Sequence, residues 1–171
     1  MDAVMPDAGK RVAEATRQRA AVLAHLFRVL RDRLGEVEAA SLMSDAIYAH
    51  GREKAKKTYS LPAQSGNLLQ AAREFASPDP VKQYQFAPRI VSADDGEAVI
   101  AMSRCPLVDQ WKEMGLAAED VTLLCRIARS VDFGTWEGAL GFRLLFEGTR
   151  GEGKEECLLR VFRKRTVEVA G

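Results

Sequence analysis

The sequence predicts an α+β fold in which N-terminal helices pack on a four-stranded, mainly antiparallel sheet made of two hairpins. Three observations carry that expectation. From Ala8 to Ala76 apolar residues recur at helical spacing, interrupted by Gly35 and Pro62. Composition turns β-rich after the breaking run Ser77-Pro78-Asp79-Pro80. Two alternating stretches then each double back through a glycine-bearing turn. The 171 residues suffice for a single domain, residues 1–171, with a helical half (1–76) and a half of two hairpins with intervening helices (81–165).

The first helix is expected over Ala8 to Leu34. Val22, Leu26, Leu30 and Leu34, with Leu23 and Phe27 beside them, form an apolar stripe, and arginines cover the other side. Gly35 ends it, because glycine accepts a positive φ without steric cost. A second helix is expected from Glu36 to Tyr59, with Val37, Ala40, Met43 or Ala46, Ile47 and Ala55 facing inward. Its basic last turns, Arg52 to Lys57, suit a helix C-terminus and need no nucleic acid to explain them. A third, from about Gln64 to Ala76, buries Leu68, Ala72 and Phe75.

Strands are expected at Tyr84 to Ser92 and Glu97 to Arg104, joined by Asp94-Asp95-Gly96. Helices follow at Leu107 to Met114 and Ala118 to Val131, and Asp132 to Gly138 reads as a loop. The second hairpin runs Gly141 to Glu147 and Glu156 to Arg165. Phe142, Leu144 and Phe146 share one face of its first strand; Cys157, Leu159 and Val161 share one face of the last.

Charge excludes some functions. Lys plus Arg is 25 and Asp plus Glu is 24, a balance that argues against a nucleic-acid partner. No apolar run suits a membrane span, and the N-terminus carries no export signal, so a cytoplasmic protein with reduced thiols is expected. Three cysteines do not make a secreted disulfide framework. A small-molecule ligand or substrate is the expected partner, and the long first helix leaves open a homo-oligomer.

Cys105 sits at a strand-to-helix junction before Pro106, where helix amides and dipole favour a thiolate. That suits a nucleophile or metal ligand; the alternative is a small buried apolar residue. Cys125 lies on the apolar face of its helix, and Cys157 opens the last strand beside Glu155 and Glu156. Their spacing matches no zinc motif, but convergence of Cys105, Cys125 and Cys157 in space, with Asp132 as a fourth ligand, would make a metal site. The segment Asp132-Phe133-Gly134-Thr135-Trp136-Glu137-Gly138 offers carboxylates, a hydroxyl and an aromatic wall, or else ordinary loop chemistry. His25 reads as structural, and His50 would have to meet Cys105 or Cys125 to form a cysteine–histidine pair.

One layout is specific. Cys105-Pro106, Trp111, Gly115-Leu116, Asp120-Val121, Cys125, Asp132 and Gly153-x-x-x-Cys157 follow one another in order. With Ala46 to Ala55, this resembles the L-2-amino-thiazoline-4-carboxylic acid hydrolase family of small bacterial proteins, over roughly Ala46 to Arg163. The closing Gly-x-x-x-Cys strand is similar to that of 4-vinyl-reductase-type small-molecule-binding domains.

The resemblance implies hydrolysis of a cyclic amidine, with water opening the thiazoline ring to N-carbamoyl-L-cysteine. It implies Cys105 as nucleophile or ligand, Asp132 as amidine partner or base, and Cys125 and Cys157 as supporting or ligand thiols. Trp111, Trp136 and Glu137 are candidate substrate contacts, and Arg104, Arg126 or Arg143 a candidate carboxylate fork. A divalent metal, zinc or manganese, is a candidate cofactor. Two other readings stand beside this one: a non-catalytic small-molecule-binding or sensory domain, and a thiol-based metal-binding domain.

Overall fold

The computed structural model describes residues 5–164. Met1 to Val4 and Arg165, the expected end of the last strand, lie outside the described residues. The elements in order are α1 (Met5–Leu34), α2 (Glu36–Thr58), α3 (Leu61–Gln64), α4 (Leu68–Phe75), α5 (Pro80–Gln85), β1 (Pro88–Ala93) and β2 (Glu97–Met102). Then come α6 (Pro106–Glu113), α7 (Ala118–Ala128), α8 (Ser130–Phe133), a π-helical turn (Gly134–Ala139), β3 (Arg143–Gly148), a 3-10 turn (Arg150–Glu152) and β4 (Cys157–Phe162). The sheet order is β1-β2-β4-β3, with every neighbouring pair antiparallel. This is the expected α+β fold with two hairpins.

Local chemistry explains the boundaries. Asp94 turns the first hairpin by accepting the amides of Gly96 (2.7 Å) and Glu97 (2.8 Å). Asn67 caps α4 by accepting the Gln70 amide (2.9 Å), so the expected third helix divides into α3 and α4. Asp79 caps α5 the same way, at Lys82 (2.9 Å), with Pro80 following it. Residues 84 and 85, expected in a strand, therefore end a short helix instead.

Two cores form. One joins the inner sheet face (Ile100, Leu159, Val161, Leu144) to α4 and Trp136. The other joins α1 and α2 to α6 and α7 around Phe27, Met43 and Trp111. The α1 stripe is a correction. Ala13, Thr16, Ala20, Ala24 and Phe27 are buried, whereas Val22 is 64% exposed and Leu26 and Leu34 are exposed as well. Small residues let α1 approach α6 closely, so alanines rather than the larger aliphatics face inward. On α2 the buried positions are Ala39, Met43, Gly51 and Ala55, and Val37 is 85% exposed.

The segment expected as a loop is helical, formed by α8 and the π-helical turn. It lies against α2 through glycines. A Cβ on Gly51 would sit 2.1 Å from the Val131 carbonyl oxygen, and one on Gly134 would sit 2.1 Å from that of Tyr48. This contact fixes Asp132 over the C-terminal half of α2. Among the described residues no helix is long and apolar enough to cross a membrane.

Candidate functional site

The candidate residues gather where the two cores adjoin. Cys105 and Cys125 pack with the helical core and Cys157 with the sheet core. The turn at Thr149 to Gly153 bridges them. The Arg150 amide donates to Cys157 Sγ (3.3 Å), while a Cβ on Gly151 would meet Cys125 Sγ at 2.6 Å. Arg150 also donates to the carbonyls of Ser103 (2.9 Å) and Glu155 (2.8 Å), tying β2 to the start of β4. Gly153 closes the turn at φ +83°, a conformation that favours glycine.

Cys105 is the N-cap of α6, as the junction predicts, but its thiol is not acidic. Burial pushes it up to about 12, raised further by Cys157 and Cys125, and the amides of Val108 and Leu107 only partly offset this. Burial likewise lifts Cys157 to about 11, and raises Cys125 against the pull of Thr149, the Gly151 amide and Arg129. All three are free thiols. At Cys105 desolvation by burial outweighs the pull of the helix terminus.

Among the described residues no three histidine, cysteine, aspartate or glutamate side chains form a group able to hold a metal ion. Cys157 accepts the Arg150 amide and Cys125 packs on Gly151.

Asp132 is the group out of the ordinary. Its half-buried side chain has no hydrogen bond or ion pair within the described residues. Burial pushes its carboxyl up to about 7, with Lys54 alone pulling it down. Its charge in turn raises Tyr59, after burial, and Cys157. Asp132, Tyr59, Lys54 and Cys157 thus share one neighbourhood.

The remaining candidates divide. Trp136 is fully buried against Tyr59, Phe75 and Phe142, and its indole N–H has no acceptor. Trp111 is equally buried but spends its N–H on the Ala20 carbonyl (2.8 Å), which makes it a structural tie between α6 and α1. Glu137 accepts the Leu144 amide (3.0 Å) and holds the π-helical turn to β3. Arg104 is stacked on Tyr84 and donates to its carbonyl, and Arg126 is exposed on α7. Arg143 is exposed on the sheet face opposite Leu144 and lines a cleft with Phe162, Arg163 and Lys164. A second cleft, of about 270 Å³, lies beside Lys112, Thr122, Arg150 and Gly151. Neither cleft is lined by Cys105, Cys125 or Asp132.

Sequence reasoning missed Tyr59, Lys54, Arg129 and Arg150. Arg129 lies over the Phe146 ring at 5.2 Å, and Phe146 packs on Phe133. A tyrosine at the end of a basic helix gives no signal in one sequence. The glycine spacing of Gly51 and Gly134 could have shown that α2 approaches the Asp132 segment.

No curated protein matches the chain. Two solved structures are similar to it. One is the phenol-responsive sensory domain of the transcription activator PoxR with phenol, at 15% identity and a TM-score of 0.59, covering 84% of this chain and 74% of that one. The other is a trafficking protein particle complex subunit 3 from Naegleria fowleri covalently bound to palmitic acid, at 16% identity and a TM-score of 0.63, covering 91% and 97%. At such identities the likeness is one of fold. The family model described as L-2-amino-thiazoline-4-carboxylic acid hydrolase matches residues 15–161 and takes in both cores, all three cysteines and Asp132, so the chain belongs to that family.

Proposed function

We propose that the protein binds a small cationic heterocycle at Asp132 and opens it with water, the reaction after which its family is described. One feature carries this reading: the half-buried Asp132 carboxyl has no hydrogen-bond or ion-pair partner among the described residues, and burial pushes it up. A planar amidinium supplies what Asp132 lacks, two N–H donors in the fork geometry a carboxylate accepts. The same carboxylate can take a proton from water and hand it on to the leaving group.

For 2-amino-thiazoline-4-carboxylate the steps balance. Asp132 takes a proton from water as the water oxygen bonds to the amidine carbon. The ring C–S bond then breaks as the new hydroxyl gives up its proton to solvent and becomes the urea carbonyl, and the proton held by Asp132 passes to the departing sulfur. The product is N-carbamoylcysteine, with one new thiol per turnover. The neutral thiols of Cys105 and Cys157 support water, not a thiolate, as the nucleophile. Incubation with the thiazoline acid and colorimetric detection of new thiol tests the reading; no thiol release would refute it. Cys105→Ser is expected to keep activity within about threefold of wild type, whereas a nucleophilic cysteine would cost more than about a thousandfold.

A second reading, a binding or sensory domain without turnover, is favoured by the fold shared with a domain described as phenol-responsive. Thermal stabilisation by small heterocycles without thiol release would select it.

A further inference from the structure

Helix α1 has two apolar faces, and the fold covers only one of them. Ala13, Ala20, Ala24 and Phe27 are buried, while Val12, Val22, Leu26 and Val29 are exposed. The exposed face is ordered. Val12, Ala15, Arg19, Val22, Leu26, Val29 and Arg33, all exposed, follow one another at alternating steps of three and four residues. That is the 3.5-residue period of a coiled-coil seam, with Val12, Arg19, Leu26 and Arg33 at one seam position and Ala15, Val22 and Val29 at the other. Leu23 and Leu30, half-buried against the helical core, border the seam on one side. Scattered exposed aliphatics are ordinary, but a seam along a helix of 30 residues, about 45 Å long, marks an interaction surface.

We propose that this seam pairs with the same seam of a second copy of the chain, the two α1 helices running antiparallel about a two-fold axis at the level of Ala24. The charges choose the direction. In a parallel pair each seam residue meets its own copy, so Arg19 would face Arg19 and Arg33 would face Arg33, like charges drawn out of water. Antiparallel pairing about Ala24 separates them. Val22 packs on Leu26 of the second copy and Leu26 on its Val22, either side of the axis. Arg33 lies over the small Ala15, which leaves room for its stem. Arg19 lies over Val29 with Asp32, one turn further on, flanking the seam beside it. Among the described residues Arg19, Asp32 and Arg33 make no ion pair within the chain. The two-fold axis makes the Arg19–Asp32 contact twice, so the surface is complementary to itself in charge as well as in period.

Sedimentation equilibrium of the full chain tests this independently of any activity. Wild type is expected to sediment as a dimer at micromolar concentrations. Val22→Lys combined with Leu26→Lys alters only exposed positions, so the far-UV circular dichroism is expected to match wild type. The same variant is expected to raise the dimer Kd at least about a hundredfold. Arg19→Asp and Asp32→Arg, made singly, are each expected to raise it at least about fivefold, because each sets like charges together at both contacts. Their combination is expected to bind more tightly than either alone. A parallel pair gives no such rescue, since the two substituted Arg19 positions would still face each other as like charges. A wild type that sediments as a monomer, as a face made for a lipid surface or a different protein would leave it, overturns the pairing. A dimer that survives both lysines overturns the surface, and one that the combined charge reversal fails to strengthen over the single variants overturns the antiparallel direction.

Discussion

Asp132→Asn is expected to abolish ring opening and, at the same time, to stabilise the fold above neutral pH. The first effect follows from losing both the anion that pairs the amidinium and the group that carries the proton. A loss of more than about a thousandfold in kcat/KM is expected. The second follows from linkage. Burial pushes the folded carboxyl up to about 7 from its ordinary 3.8, so the folded state binds this proton more tightly than the unfolded one. Stability from this group is full below pH 3.8 and is lost as pH rises toward 7. Asparagine never ionises, so the variant escapes that loss. After allowing for the side chain's partial exposure, a gain of about 2 kcal/mol at pH 8 is expected, and close to none at pH 3. Denaturant unfolding at the two pH values, beside the thiol-release assay, checks both halves. A variant destabilised at pH 8 would mean that Asp132 has a partner in the protein after all.

Gly134→Ala and Gly51→Ala are expected to be strongly damaging single-methyl substitutions. At Gly134 the new Cβ would sit 2.1 Å from the Tyr48 carbonyl oxygen and 3.0 Å from the Arg52 amide nitrogen, both backbone atoms that cannot rotate away. Gly51→Ala meets the Val131 carbonyl at the same 2.1 Å. Each substitution forces α2 apart from the α8 segment, at a cost of about 3 kcal/mol or more. Because that contact positions Asp132, activity is expected to fall further than the unfolded fraction explains. Gly35→Ala is the control for glycine loss: φ is +85° there, but nothing lies within 4 Å of the added carbon, so only backbone strain of about 1 kcal/mol is expected. Urea midpoints for the three variants check the order.

The sheet was readable from the chain because period-two alternation has one solution. Leu144, Leu159 and Val161 can only face inward together, and Asp94-Asp95-Gly96 can hardly do anything but turn. Helix α1 was readable as a helix but not in orientation. It carries apolar residues on two faces, and the alanine face wins because close helix packing suits small side chains, which hydropathy undervalues. The Asp132 segment was readable as chemistry but not as shape. Its two glycines suggest a loop, yet they serve contact with α2, where a side chain would collide. At Cys105 the sign of the effect was not legible: the helix terminus is visible in the sequence, and the depth of burial is not. Asp132 gained weight for the same reason, since only packing shows that its carboxyl lacks a partner.

Carbon-detected NMR titration of the Asp132 carboxyl, in free protein and with the thiazoline acid bound, tests the central claim most directly. The expected result is a midpoint of about 7 in free protein, falling by at least two pH units with ligand, because the amidinium favours the charged form. A midpoint in the ordinary aspartate range near 3.8, unmoved by the ligand, would contradict it.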